Sequence, residues 1–334
     1  MSAKKLRWGI VSTAKIAVEK VIPGLLRSER CDVQAIASRA LDQAQAAAQK
    51  LRIPKAYGSY DALLADPDID VIYNPLPNHL HVPVTLQAAA AGKHVLCEKP
   101  IALDTDDALK LRAAGDHVRI MEAFMVRFHP QWLRARELVR EGAIGPVQAI
   151  QVYFSYFNND AANIRNVVAY GGGAALDIGC YPIVVARFIF EAEPLRVISL
   201  IDRDPTSGVD RLTSGLLDFG GGRRLDFTAG TQSVPYQRVQ IIGSKGRIEV
   251  QIPFNAPQVA ETRIFLDDGS KLDGAAIRTE ILPSCDQYAL EGDAFVRMIL
   301  GESDAPYGVE DAIQNMRILD ALFRSEKSGH WETP

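Results

Sequence analysis

The sequence predicts two domains: an α/β domain with a parallel sheet, then an α+β domain with a large, mostly antiparallel sheet. The first observation is length, because 334 residues are too many for one compact core. The second is that short apolar runs alternate with helix-like stretches from Leu6 to Met121, as in βαβ units. The third is a series of strand-like runs from Arg196 to Leu266, separated by turns rich in Gly, Asp and Ser. We place the boundary near Ala123, which gives domains 1–123 and 124–334.

The order of elements follows from these patterns. In the first domain, Gly92 is a natural end for the helix before it. Strands are predicted at Leu6–Val11, Val33–Ala37, Val71–Tyr73, His94–Cys97 and Val118–Met121, and helices at Ile16–Arg27, Leu41–Leu51, Tyr60–Leu64, His81–Ala91 and Asp104–Ala114. The second domain has a predicted strand at Val147–Phe157 and helices at Trp132–Glu141, Gln287–Leu300 and Val309–Ser325.

Composition excludes several classes of protein. A net charge of −4 offers no field that attracts a polyanion, so no nucleic-acid partner is expected. Apolar runs such as Ile183–Ile189 are too short to span a membrane, and the N-terminus lacks the apolar core of a signal peptide, so we expect a cytoplasmic protein. The four cysteines are scattered, and His79 and His81 have no carboxylate at ligand spacing; no metal site is therefore expected.

The turn after the first strand has the spacing of a dinucleotide-binding loop. Ser12, Ala14 and Ala17 occupy the three small-residue positions of the G-x-G-x-x-G pattern, between a strand and a helix. Small residues there let the backbone approach a pyrophosphate at the helix N-terminus. The pattern favours a Rossmann domain, with an ordinary βα turn as the alternative. Since neither Ser12 nor Ala14 is glycine, we expect a less close approach of the phosphate.

The second strand ends in Ser38 and Arg39, where NAD-binding domains carry a carboxylate for the ribose 2′-hydroxyl. A hydroxyl and a guanidinium suit a 2′-phosphate instead, because arginine pairs with phosphate in a two-pronged contact. This predicts NADP(H), with NAD(H) as the alternative cofactor. The competing interpretation is a solvated loop.

Two further segments follow strands of the predicted parallel sheet, at the edge where ligands bind in such sheets. Asn74-Pro-Leu-Pro-Asn-His-Leu-His81 follows the third strand, and Cys97-Glu-Lys-Pro100 follows the fourth. With these segments the sequence resembles the Gfo/Idh/MocA oxidoreductase family, nearest to the branch of dimeric dihydrodiol dehydrogenases and NADP-dependent D-xylose dehydrogenases. The matching motifs are Gly9–Ala17, Pro77-Asn-x-x-His81, Glu98-Lys-Pro100, Glu122–Pro130, Gly171–Tyr181 and Gly243–Glu249.

The resemblance implies roles for particular residues. Lys99 matches the family's active-site lysine, and Asp177 and Tyr181 match its Asp-x-x-x-His/Tyr pair. It also implies an open-faced sheet in the second domain that commonly mediates dimerisation, so we expect a homodimer or higher oligomer. The expected cofactor-binding residues are Ser12, Thr13, Ala14, Ile16, Ser38, Arg39, Pro75, Leu76, Asn78, His81, Glu98 and Lys99.

The chemistry of these residues agrees with the resemblance. Oxidation of a carbinol needs a base that accepts the O–H proton. Free tyrosine has a pKa of about 10, so at neutral pH almost none of it is in the phenolate form that could act as this base. A nearby ammonium such as that of Lys99 favours the phenolate. Lowering the tyrosine pKa by ~2 units needs roughly 3 kcal/mol of interaction with that charge. Asp177 and Tyr181 are spaced i,i+4 and share a face of a helix. Pro182 follows Tyr181, so the helix is expected to bend or to start there.

The expected substrate is a small polyol or sugar. The expected activity is hydride transfer between NADP(H) and a CH–OH group, as in an aldose dehydrogenase such as D-xylose 1-dehydrogenase, or in a sugar reductase. The alternatives are a trans-dihydrodiol dehydrogenase and a non-catalytic NADP-sensing regulator. Asn163 and Arg165 are polar candidates for contacts with substrate hydroxyls.

Overall fold

The computed structural model describes residues 4–303 and 307–334. The chain divides into two compact units, one of Met1–Met125 with Gln287–Ile313 and the other of Val126–Asp286 with Gln314–Pro334. The first break lies two residues after the expected boundary at Ala123. The structure differs from the expected domains 1–123 and 124–334 in a second respect, because a C-terminal segment belongs to the first unit.

The first unit contains a six-stranded parallel sheet of order β3-β2-β1-β4-β5-β6. This is the strand order of a Rossmann domain, in which ligands bind at the carboxyl ends of the strands. The strands are β1 (Leu6–Val11), β2 (Cys31–Ala37), β3 (Lys55–Tyr57), β4 (Val71–Asn74), β5 (His94–Glu98) and β6 (Ile120–Ala123). Nearly every residue of β1, β4 and β6 is buried, as expected for a sheet covered on both faces.

Helices connect these strands, and side chains cap the N-termini of two of them. Ser59 accepts a hydrogen bond from the backbone N–H of Ala62, and Asp104 accepts one from that of Asp107. The helices are α1 (Ile22–Arg27), α2 (Leu41–Leu51), α3 (Tyr60–Leu64), α4 (His81–Ala90) and α5 (Thr105–Leu109). A π-helical turn, Ala17–Val21, precedes α1, and a 3₁₀ turn, Lys110–Ala114, follows α5.

Helix α8 (Gln287–Ile299) explains why the first unit includes a C-terminal segment. Phe295 is fully buried and meets the edge of the Trp8 ring at a centroid distance of 6.1 Å. Gly292 allows α8 to approach closely, because a Cβ there would lie 2.5 Å from the Leu25 side chain and 2.8 Å from the Cys31 sulfur. The first unit thus completes its core with residues distant in the sequence.

The second unit contains an eight-stranded sheet of order β14-β13-β12-β11-β7-β10-β9-β8, in which β7 pairs in parallel with β10 and the other neighbours are antiparallel. This confirms the predicted fold class. The strands are β7 (Val147–Phe157), β8 (Arg196–Arg203), β9 (Asp210–Asp218), β10 (Arg224–Gly230), β11 (Gln232–Gly243), β12 (Arg247–Val250), β13 (Thr262–Asp267) and β14 (Arg278–Leu282).

One face of this sheet is buried beneath helices and the other is open. The helices of the unit are α6 (Pro130–Arg140), α7 (Cys180–Phe190) and the part of α9 (Val309–Ser328) that starts at Gln314. All residues of α7 are buried. Within the described residues, the stretch Val168–Phe190 is long and apolar enough for a membrane span, but its apolar 18-residue window is entirely buried, as in the core helix of a globular protein.

Candidate functional site

The loop after β1 turns through a residue with a positive φ. Ser12 has a φ of 78°, in the left-handed region, and its N–H donates to the carbonyl of Ala37 at 2.9 Å. The helical stretch begins at Lys15, and the carbonyl of Ala14 accepts its first hydrogen bond, from Val18. Ser12, Thr13 and Ala14 therefore lie half-exposed at a helix N-terminus, which favours an anion. Ile16 follows in the first helical turn.

Ser38 and Arg39 differ in exposure at the end of β2. Ser38 is 5% exposed, and its hydroxyl lies 3.3 Å from the Gln43 amide oxygen. The Arg39 side chain is exposed, and no acidic side chain within the described residues forms an ion pair with it. An exposed arginine beside the N-terminus of α2 suits a phosphate group, so these residues fit the 2′-phosphate of NADP(H).

Glu98 and Lys99 lie where β5 ends. The buried Tyr73, on the neighbouring strand β4, donates its hydroxyl hydrogen to Glu98 Oε1 at 2.6 Å. Burial, together with the charge of Glu98, raises the pKa of Tyr73 well above its usual range, so this phenol remains a donor. The backbone N–H of Lys99 donates to the second oxygen of Glu98 at 3.3 Å. Glu98 is thereby oriented on both sides.

The loop that carries Lys99 is tied to its neighbours by two buried side chains. Glu122 on β6 accepts the backbone N–H of Ile101 at 2.8 Å. His81, at the start of α4, places Nδ1 2.7 Å from the carbonyl oxygen of Pro100 and Nε2 2.6 Å from that of Leu76. Burial lowers the pKa of His81 to about 4, so at neutral pH the ring donates to one carbonyl, and to both when protonated.

His81 was expected to bind the cofactor, but its side chain is only 1% exposed and its ring nitrogens face the backbone. Its structural role is to join the Pro75–Pro77 segment to the Lys99 loop. Pro75 and Leu76 are buried beside it, and Asn78 is half-buried at the start of a 3₁₀ turn.

In the second unit, Asp177 is the centre of a polar cluster. Its Oδ2 accepts the hydroxyl of Tyr156 at 2.5 Å and Nε of Arg165 at 3.0 Å. Burial, and then the charge of Asp177, raises the pKa of Tyr156 far above its usual range, so Tyr156 stays neutral and donates. The structure thus brings together Asp177, predicted as catalytic, and Arg165, predicted as a substrate contact.

Tyr156 is a member of this cluster that the sequence did not indicate. It lies near the end of β7, a strand predicted within the same bounds, but nothing in the local pattern marks its side chain as functional. Asn163, the other predicted substrate contact, accepts the backbone N–H of Arg165 at 3.1 Å and caps the short turn Ile164–Asn166. Its side-chain oxygen therefore supports the position of Arg165.

Tyr181 is 6% exposed and lies among aromatic rings. The centroids of Phe254 and Phe154 are 5.3 and 5.8 Å from that of Tyr181. These rings restrict the phenol to a defined direction.

The helix that carries Asp177 and Tyr181 neither starts nor breaks at Pro182. A π-helical turn, Ala175–Gly179, includes Asp177 and leads directly into α7 at Cys180. Pro182 has no N–H to donate, and a widened turn just before it accommodates the missing hydrogen bond. Such π turns within α-helices are frequent at functional sites.

The comparisons with known proteins agree with this geometry. Residues 6–123 match the profile of an oxidoreductase family with an NAD-binding Rossmann fold, and residues 132–249 match that of the GFO/IDH/MocA C-terminal domain. A chain described as an uncharacterized oxidoreductase of Rhizobium meliloti is 47% identical over 330 residues, covering 98% of this chain and 99% of the relative.

Two relatives with named activities are also similar. D-xylose 1-dehydrogenase (NADP(+)) 2 of Haloferax volcanii is 38% identical, over 97% of this chain and 98% of its own. A trans-1,2-dihydrobenzene-1,2-diol dehydrogenase of Mus musculus is 36% identical over 74% of each chain.

A solved structure gives the same result. The 3-ketoreductase of Actinomadura kijaniata, in complex with NADP and TDP-benzene, is 29% identical and superposes with a TM-score of 0.89 over 96% of this chain and 98% of its own. Both halves of the chain therefore match the same family in sequence, and the whole chain matches a cofactor-bound reductase in fold. This chain belongs to the Gfo/Idh/MocA family and is an NAD(P)-dependent oxidoreductase.

Proposed function

We propose that this oxidoreductase uses NADP(H) and acts on a CH–OH group of a small sugar, as an aldose 1-dehydrogenase does. The observation that carries the proposal is the cluster in which Tyr156 and Arg165 hold the carboxylate of Asp177, one helical turn before Tyr181. A fixed carboxylate beside a phenol suits a substrate with several adjacent hydroxyl groups. The similarity to an NADP-dependent D-xylose dehydrogenase supports this substrate class.

The three catalytic candidates have separate tasks. Tyr181 accepts the proton that leaves the carbinol oxygen during oxidation and returns it during reduction. The ammonium of Lys99 favours the phenolate form of Tyr181 and stabilises negative charge on the substrate oxygen. Asp177 accepts a hydrogen bond from a neighbouring substrate hydroxyl and orients the sugar. A nicotinamide held by the first unit would take up or supply the hydride.

The cofactor preference is part of the proposal and has its own test. One charge-assisted contact with the 2′-phosphate is worth ~1.5–3 kcal/mol, or roughly ten- to a hundredfold in affinity. Arg39→Ala should therefore weaken NADPH binding by that factor in a fluorescence titration and leave NADH binding unchanged. Arg52→Ala, a similar change at an exposed site of the same unit, is the control. Equal loss of both cofactors in Arg39→Ala would contradict the assignment.

A turnover screen identifies the substrate. Aldoses, polyols and cyclic trans-diols are each offered with NADP⁺, and the corresponding lactones and ketones with NADPH. Preference for an aldose supports the proposal. Preference for a trans-diol supports the alternative that the similarity to the diol dehydrogenase suggests. Tight NADPH binding without turnover of any carbinol or ketone points to a sensing role.

A further inference from the structure

We propose that Asp210 is a positioning residue for the reaction: its buried carboxylate caps, from another strand, the helix that carries Asp177 and Tyr181. Asp210 begins β9, more than thirty positions after that helix starts. The inference rests on the proposed function, since it assigns Asp210 an effect on chemistry through those two residues.

The contacts of Asp210 are those of a helix N-cap. Its Oδ2 accepts the backbone N–H of Ala175 at 2.6 Å, within the first turn of the helix, and the hydroxyl of Thr213 at 2.8 Å. The first N–H groups of a helix have no partner inside it, so an acceptor there sets where the helix begins. The residue at the cap position is Gly173, whose carbonyl accepts the N–H of Asp177. Glycine has no side chain to cap with, and Asp210 supplies the missing carboxylate.

The backbone at Gly173 is shaped around this carboxylate. Its φ is 122°, a conformation that other residues rarely adopt, and a Cβ there would lie 1.8 Å from Asp210 Oδ1. The glycine is thus required both by its torsion and by the closeness of the carboxylate. Neither requirement is visible from Gly173 and its sequence neighbours alone.

The same turn also fixes Arg165. The N–H of Gly173 donates to the carbonyl of Arg165 at 2.9 Å, and a Cβ on Gly172 would lie 2.5 Å from that oxygen. Asp177 is therefore placed from two directions: Asp210 sets the start of its helix, and the glycine turn sets the backbone of Arg165, its ion-pair partner. A shift of the helix start would move Asp177 relative to Arg165 and would displace Tyr181 with it.

Burial of this carboxylate lowers the stability of the fold, which argues that the carboxylate has a function. Asp210 is 2% exposed, and burial raises its pKa to about 6, while the hydrogen bonds from Ala175 and Thr213 favour the charged form. Arg203 on β8 also favours it, but its ion pair is with Glu326. A neutral residue would avoid the cost of burial but would lack the charge that attracts the helix N-terminus.

The test compares Asp210→Ala with Asp210→Asn in the full-length protein. Asp210→Asn keeps an oxygen that accepts the Ala175 N–H, whereas Asp210→Ala does not. Loss of a cap should speed amide exchange of residues 174–177 by roughly threefold to thirtyfold, with residues 184–190 unaffected. Displaced catalytic groups should lower kcat on the enzyme's best substrate by on the order of tenfold to a hundredfold, with little change in NADPH binding. Asp210→Asn should recover part of both losses, because it keeps the acceptor for the Ala175 N–H but not the negative charge.

Arg211→Ala is the matched control, because Arg211 is the next residue on β9 and pairs with Asp202 near the surface. It should leave exchange and kcat unchanged. If Asp210→Ala does not fold, Asp210→Asn and Gly173→Ala provide the same comparison, since Gly173→Ala presses a methyl group against the carboxylate.

Two results would overturn the inference: unchanged exchange at 174–177, or faster exchange there with wild-type kcat. Tyr181→Phe, measured in parallel, separates this failure from failure of the proposed function. An inactive Tyr181→Phe beside a fully active Asp210→Ala refutes only the positioning role. An active Tyr181→Phe refutes the proposed chemistry, whatever Asp210→Ala does.

Discussion

In the proposed mechanism, proton transfer at the phenol of Tyr181 is most of the chemistry that the protein itself supplies. Tyr181→Phe removes the hydroxyl but keeps the ring that packs against Phe154 and Phe254. We expect kcat to fall by ~10²–10⁴, because general acid–base catalysis contributes about that much. NADPH affinity, measured by fluorescence, should remain that of the wild type. Near-normal kcat in this variant would make Asp177 the next candidate.

The dependence of kcat/KM on pH is an independent test of the proposed effect of Lys99 on Tyr181. A positive charge near a phenol stabilises the phenolate and lowers its pKa, so removal of that charge must raise it. In the oxidation direction, kcat/KM should rise with pH through a pKa below that of free tyrosine. In Lys99→Met this limb should move to higher pH. Because the two residues act together, the double variant should lose much less than the sum of the single losses.

Tyr156 is expected to affect the reaction indirectly, because it holds the carboxylate of Asp177. Tyr156→Phe deletes the hydrogen bond to Asp177 Oδ2 and leaves the contact between Arg165 and that oxygen in place. A hydrogen bond to a charged group contributes ~1.5–3 kcal/mol, so we expect kcat/KM to fall roughly tenfold or more. Tyr153→Phe, on the same strand but exposed beside Tyr236, is the control and should behave as wild type. An equal effect of the two changes would mean that the loss is not specific to Asp177.

At the scale of elements, the turn between β1 and the first helix contains a residue with a strained backbone, at the position expected to bind the cofactor. A non-glycine residue in the left-handed region costs about 1 kcal/mol, and Ser12 has a φ of 78°. Ser12→Gly should therefore raise the free energy of unfolding by ~0.5–1 kcal/mol, as measured by urea denaturation. It should also tighten NADPH binding, because a residue without a side chain permits closer approach of the phosphate. Weaker NADPH binding would indicate that the Ser12 hydroxyl itself contacts the cofactor.

Elements with a strong local pattern were predicted well from the sequence. Strands β1 and β7 and helices α2 and α3 have the predicted bounds, because β1 is a short, almost completely buried run and the burial of β7 alternates with the period of a strand. Strand β3 was not predicted, since Lys55–Tyr57 has three half-exposed residues and no detectable period. The π turn at Ala175–Gly179 was not predicted either, because a proline in an apolar helix does not reveal how the backbone will adjust.

The candidate site was predictable only where its residues belong to linear motifs. Glu98, Lys99, Asp177 and Tyr181 occur in such motifs, whereas Tyr156 and Asp210 reach Asp177 and its helix from separate strands. Those contacts depend on how strands pair across the sheet, and one sequence does not specify that pairing. The predicted roles of Lys99 and Tyr181 in catalysis stay predictions.

For the whole molecule, the division of the chain was the part least accessible from sequence. The helical pattern of Gln287–Ile299 was recognised, but a local pattern does not say which core receives a helix's apolar face. Trp8 at the centre of β1 is fully buried, and Phe295 covers it from the C-terminal segment. Long-range burial of this kind determines domain membership.

The open face of the second sheet leads to the prediction about assembly. Val239 and Ile241, on β11, are fully buried on the covered side of the sheet. The open side carries a shallow depression with a volume of about 700 Å³. Its lining includes Tyr153, Leu200 and Tyr236. Leu200 is 78% exposed, unusual for a leucine in the middle of a strand. A broad sheet face with exposed apolar and aromatic side chains is typical of a surface that a partner covers.

We therefore expect a homodimer in which two copies cover each other's open sheet faces. Light scattering should give twice the 36.6 kDa chain mass across a wide concentration range. Leu200→Glu places a negative charge in the expected interface. Because a two-fold interface contains the same residue from both copies, each dimer would contain two such charges, and the protein should shift towards the monomer. Leu272→Glu makes the same change at a fully exposed loop position outside this face and should leave the mass unchanged. A wild-type monomer would refute the dimer. A dimeric Leu200→Glu would place the interface elsewhere, because a buried unpaired charge on each side of this face costs more than an interface of ordinary size can absorb.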